Sequence, residues 1–173
     1  MVDATLLENI YFALNQADRS PTVRGKVSYL LTAASFLEAL VEREKLTGPI
    51  SVTWREYEDV VSEDKRVYHR RVPKEIKVTT LDTTEEITNF IEERIVSVLI
   101  QIAGFPNTAL LDKVWELGYK PNGSELGTIQ IFSLIEEAKS LLLKLLVALD
   151  LANVALVDIA TKLEKFSRKT ATT

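Results

Sequence analysis

The segment from Leu141 to Ala160 is apolar almost all the way round a helix. A helix that covers one side of a globular core needs a single apolar stripe. On a helical wheel, Leu141, Leu145, Ala148, Leu149, Ala152, Leu156, Ile159 and Leu163 form one side. Leu143, Val147, Leu151, Val154 and Val157 lie on or near the opposite side. Such a helix must be covered on several sides, by the rest of the chain or by a second copy.

The helical pattern around this segment runs from about Thr128 to about Lys169. About 42 residues rising ~1.5 Å each would reach roughly 60 Å. A domain of this size is only about 35–40 Å across. The sequence therefore predicts either a break near the middle or packing against a neighbouring subunit. Val147, Leu151 and Val154 are the candidate self-association residues. Asp150 and Asn153 would need partners at a buried seam, where they could fix register. At a solvated edge they need none. Lys144, Asp150, Asn153 and Asp158 make the segment a poor membrane span.

Upstream, helical spacing recurs. Thr5, with Glu8 three residues on, marks a first helix to about Ala17. Ser20 as N-cap and Pro21 at the first helical position open a second, running to about Leu46 and stopped by Gly48-Pro49. Thr83-x-x-Glu86 is a capping box for a third helix to about Ala103. Thr108 to Leu117 reads as a short helix, followed by the turn signal Lys120-Pro121-Asn122-Gly123-Ser124.

Between the second and third helices the texture changes. Ile50 to Trp54 alternates with period two, as a half-buried strand does. Arg66 to Val72 and Ile76 to Leu81 are rich in β-branched and aromatic residues. Ser62-Glu63-Asp64 and Pro73-Lys74 read as turns. Residues 50–81 are thus expected to form a small antiparallel hairpin or three-stranded insert. That insert is too small to stand alone, so it must lean on the helices or a partner. The predicted fold class is mainly α: a bundle of four to five helices with a long C-terminal helix and the β insert. One domain is expected over 1–173, from which 50–81 projects.

The insert also holds the densest basic run, Lys65 to Lys74. Arg66, Tyr68 and Arg70 would share one strand face. Arginine pairs with phosphate and tyrosine stacks on bases. Lys65, Arg66, Tyr68, Arg70, Arg71 and Lys74 are therefore the candidate nucleic-acid contacts. Against this, seven Lys/Arg balance seven Asp/Glu over 47–82, so cross-strand ion pairs would account for both runs. The net charge of −4 gives no global attraction to nucleic acid.

Catalytic patterns do not stand out. The chain has no cysteine, which removes disulfides, thiolate ligands and cysteine nucleophiles. Its one histidine, His69, falls among arginines, where cationic neighbours disfavour protonation and metal binding. There is no glycine-rich phosphate loop. No cofactor, metal site or enzymatic activity is expected. The first residues lack a basic stretch followed by an apolar one, which predicts no signal peptide and a cytoplasmic setting, or a virion if the protein is viral. Absent Cys and scarce Met and Gln, at one and three, lean towards a thermophile. The expectation is a non-enzymatic assembly protein that joins copies or partners through the long helix and the insert. The second reading is a helical subunit of a nucleoprotein complex that uses the basic hairpin. A helical enzyme built from scattered Glu, Arg and Tyr is the third.

Overall fold

A computed structural model describes residues 3–61, 69–103 and 128–151, together with Thr161. Helix α1 spans Ala4–Arg19. Its N-cap is Asp3, not Thr5: the carboxylate accepts from the N–H groups of Thr5 at 3.0 Å and Leu6 at 3.3 Å. A carboxylate satisfies two orphan donors there and adds charge at the positive end of the helix. Burial works against ionising Asp3. The bonds from Leu6 and Thr5, with the Arg43 guanidinium, outweigh it and hold the carboxyl below its ordinary value. Arg43 lies near the end of the next helix, so this cap also ties two helix ends together.

Helix α2 spans Val23–Glu44 and starts from Thr22, whose Oγ1 accepts from the Gly25 N–H at 3.0 Å. The expected cap, Ser20, closes α1 instead, its N–H donating to the Gln16 carbonyl. Lys26 Nζ donates to the carbonyls of Ala17 and Asp18, both at 3.1 Å, and satisfies the same helix end. The resulting antiparallel hairpin buries Leu7, Ile10 and Leu14 of α1 and Val27, Leu30, Ala34, Leu37 and Val41 of α2. Lys45, at φ 51°, ends α2 in the left-handed region. Gly48 is therefore not the helix stop. Its N–H donates to the Asp82 carbonyl at 2.9 Å, and an added Cβ would sit 2.0 Å from the Leu81 oxygen. Only glycine lets the chain pass so close to the base of the insert.

Among the described residues the insert is two-stranded. Strand β1 (Ile50–Val61) pairs antiparallel with β2 (His69–Leu81), from Ile50 opposite Leu81 to Val61 opposite His69. Pro73-Lys74 is not a turn but part of β2. Glu75 opposes Glu56 and Pro73 opposes Tyr57, so Lys74 is the extra residue of a bulge. Proline cannot donate to a ladder, and bulges are where strands tolerate it. Ile50, Val52, Trp54 and Leu81 are buried on one face.

The third predicted helix is one continuous run with a wide turn inside it. It comprises α3 (Thr84–Phe90), a π-helical segment (Ile91–Val96) and α4 (Ser97–Ala103). Thr83 caps it as expected, accepting from the Glu86 N–H at 3.1 Å. The Glu86 carboxylate reaches back to the Asp82 N–H at 2.7 Å, one residue before the usual capping-box partner. Adjacent pairs Phe90/Ile91, Ile95/Val96 and Leu99/Ile100 are all buried, a broad face suited to a central position.

Helix α5 spans Thr128–Ala148, so the helical pattern that runs to about Lys169 is interrupted near its middle, one of the two outcomes its length predicts. Asp150 adopts φ 57°, the Leu151 N–H donates to the Leu146 carbonyl, and the Asp150 N–H donates to that of Val147. This pair of bonds is a Schellman stop. The break, not a protruding rod, resolves the length problem. α5 buries Leu134, Ile135, Ala138, Leu141, Leu142, Leu145 and Leu146, a normal one-sided stripe. The helix packed against most of the others is α2, which meets α1, α3, the π segment, α4 and α5. The protein is mainly helical with a β-hairpin, as the sequence predicts. The short helix expected at Thr108–Leu117 lies outside the described residues.

Candidate functional site

The insert leans on the helices through Trp54. Its indole N–H donates to Thr79 Oγ1 at 2.8 Å. The Arg94 guanidinium, carried by the π segment, lies 3.9 Å from the ring centroid, and Lys77 Nζ lies at 5.8 Å. Both are cation–π distances. Trp54 thus fixes the face of the hairpin that points inward.

The opposite face is the informative one. Register pairs Ser51 with Thr80, Thr53 with Val78 and Arg55 with Ile76. All six side chains are exposed, including Ile76 at 64% and Val78 at 66%. Beside β1 runs a trough of about 730 Å³, bordered by Ser51 and Thr53 on one bank and by Leu143, Lys144 and Val147 of α5 on the other. A smaller hollow of about 320 Å³, also bordered by Thr53 and Lys144, reaches Arg55 and Ile76. Lys144 Nζ donates to the Thr53 carbonyl at 3.4 Å and spans the trough. Further along, Lys139 Nζ pairs with both Asp18 carboxylate oxygens at 2.8 and 3.0 Å, tying α5 to α1.

Val147, a candidate self-association residue, is 57% exposed on this trough. Leu151 is placed differently: the Schellman turn brings it against the core, so it does not continue the Val147 face. Val154 lies outside the described residues. So do Lys65, Arg66 and Tyr68. Arg70, Arg71 and Lys74 lie on β2, with Val60 opposite Arg70, Asp59 opposite Arg71 and Lys74 at the bulge. That register sets one basic residue of the run, Arg71, opposite an acid, while Glu56 opposes Glu75. Asp150 is exposed, the solvated placement.

Sequence reasoning did not single out Ile76 and Val78 as surface residues. Lys77 between them would ordinarily point to water and the two β-branched residues inward. The larger apolar set of Ile50, Val52, Trp54 and Leu81 takes the inward face, and strict alternation then turns Ile76 and Val78 out. The usable signal was Trp54, which gives Lys77 a place on the inner face. Among the described residues, no group of three or more His, Cys, Asp or Glu could hold a metal ion. Among the same residues, no helix is long and apolar enough to cross a membrane. No protein-family model, curated protein or solved structure matches the chain.

Proposed function

We propose that the protein is a non-enzymatic assembly subunit, in the cytoplasm or in a virion, that associates through the hairpin's outer face and the adjoining side of α5. The observation that supports this is the exposure of Ile76, Val78 and Val147 on and beside two adjoining hollows. Exposed apolar residues scattered singly need no explanation. Here Ile76 and Val147 border connected hollows, and Val78 is the register partner of Thr53 between them. Apolar side chains set around hollows lined by Lys144, Arg55 and Glu136 have the mixed character of an interaction surface.

The test is native mass at micromolar concentration. The wild-type chain is expected as an oligomer. Ile76→Arg/Val147→Arg is expected to shift it towards monomer with its helical circular dichroism unchanged, since both positions are exposed. A wild-type chain that stays monomeric across that range would sink the reading.

A further inference from the structure

We infer that the open edge of β2 pairs antiparallel with β2 of a second copy, about a dyad at Val78. This rests on the reading above only in that copies associate, and places a contact with stated register at the β2 edge, across the hairpin from the Val147 trough. The two edges of the sheet are not equivalent. Thr53 turns its carbonyl to Lys144, away from β2. Beside Gly48, the Leu81 oxygen and the Ile50 nitrogen flank one spot, as in a bonded pair. Antiparallel alternation then aims the backbone groups of Ser51, Thr53 and Arg55 at α5. The same alternation aims those of their partners, Ile76, Val78 and Thr80, off the far edge of β2. The β1 edge is covered by α5. For β2, close packing among the described elements is with β1.

Natural edges are usually guarded by short strands, lysines, prolines or bulges. In β2 the proline and the bulge sit together at Pro73-Lys74, leaving Glu75 to Leu81 regular. The lysine in that stretch, Lys77, is turned to Trp54 on the inner face. The stretch is therefore unguarded where its outer face is most apolar.

Charge, hydrogen-bond pattern and the end of β2 at Leu81, which would cut a Thr79-centred pairing to residues 77–81, favour a second copy in one register. Centred on Val78, the pairing sets Ile76 opposite the partner's Thr80, Val78 opposite Val78, Lys77 opposite Thr79 and Glu75 opposite Leu81. Every outward backbone group then meets an outward group, and no like charges face each other. Centring on Lys77 would oppose two lysines, which is destabilising. Centring on Ile76 would run Val78 into the bulge at Lys74. The product is a four-stranded sheet, beyond the two-stranded size that is marginal by itself. Its outer face places Ile76 and Val78 of both copies side by side.

The absence of native cysteine makes the register directly readable. At the dyad, Val78 Cα atoms would stand about 5.5 Å apart, inside the ~4.4–6.8 Å a disulfide spans. Thr80 would lie roughly 14 Å from its copy, four residues out of register. In the full-length chain under mild oxidation, Val78→Cys is expected to cross-link at least tenfold faster than Thr80→Cys. Val78→Lys, at an exposed site, is expected to weaken dimerisation about tenfold or more by setting lysine against lysine. If wild type is monomeric, both the assembly reading and this inference fall. If wild type associates but Val78→Lys associates equally, or Thr80→Cys cross-links as fast as Val78→Cys, only the edge pairing falls.

Discussion

At the scale of single residues, Tyr11 is the sharpest conflict in the core. It is 7% exposed, and its hydroxyl has no hydrogen-bond partner among the described residues. A buried hydroxyl left unpaired costs about 1–3 kcal/mol. Tyr11→Phe removes the hydroxyl and keeps the ring, so stability in urea is expected to hold or rise by about 1 kcal/mol. A clear loss would mean the hydroxyl has a partner. Burial also pushes the phenol above its ordinary value of 10.0. The unfolded chain then releases this proton at lower pH than the folded one. The contribution is fully present below pH 10 and declines as pH rises through the raised folded value. Tyr11→Phe should flatten that alkaline fall in a pH series of unfolding curves. None of this was legible in the sequence, where Tyr11 stands among helical residues with nothing to mark its hydroxyl as unpaired. Residue roles set by local chemistry fared better. Thr83 caps its helix because its hydroxyl needs only the N–H three residues on. Asp3 displaced Thr5 because its carboxylate also answers Arg43, forty positions away, a contact that no local pattern encodes.

Among the elements, the hairpin and the helices α1 to α4 could be read because their periods are local: two in Ile50–Trp54, helical elsewhere. For α5 the length of the pattern asked for a break or a partner but did not say at which residue. Leu149-Asp150-Leu151 contains neither glycine nor proline, and its apolar pattern runs on without interruption. What ends the helix is the left-handed Asp150 and the two Schellman bonds that follow from it. Aspartate tolerates that region better than most residues, so the stop carries little sequence signature. Substitution at this position decides between a stop and a continuous helix. In a left-handed site glycine is the better residue and alanine is strained. In a helix interior the order reverses, glycine being about 1 kcal/mol worse than alanine. Thermal denaturation is expected to rank Asp150→Gly above Asp150→Ala by about 1 kcal/mol. The reverse ranking would restore the continuous rod.

For the whole molecule, the helices fix which edge of the hairpin is available to a partner. α5 lies along β1 and Trp54 seats the inner face on the π segment, so β2 is outermost among the described elements. Among the described elements, α5 takes the β1 edge and none packs closely along the β2 edge. This geometry makes an alternating prediction for amide hydrogen exchange. The amides of Lys77 and Thr79 point at β1 and should be protected at any concentration. Those of Ile76, Val78 and Thr80 point off the edge and should exchange quickly in dilute protein. On edge pairing the second set should slow as concentration rises, while the first barely changes. The amides of Ser51 and Arg55, on the edge facing α5, should show no concentration dependence. Association through α5 alone would leave Ile76, Val78 and Thr80 fast at every concentration. A uniform slowing of the whole hairpin would instead indicate general stabilisation. Only the even-numbered alternation across 76–80 reports a strand added at this edge.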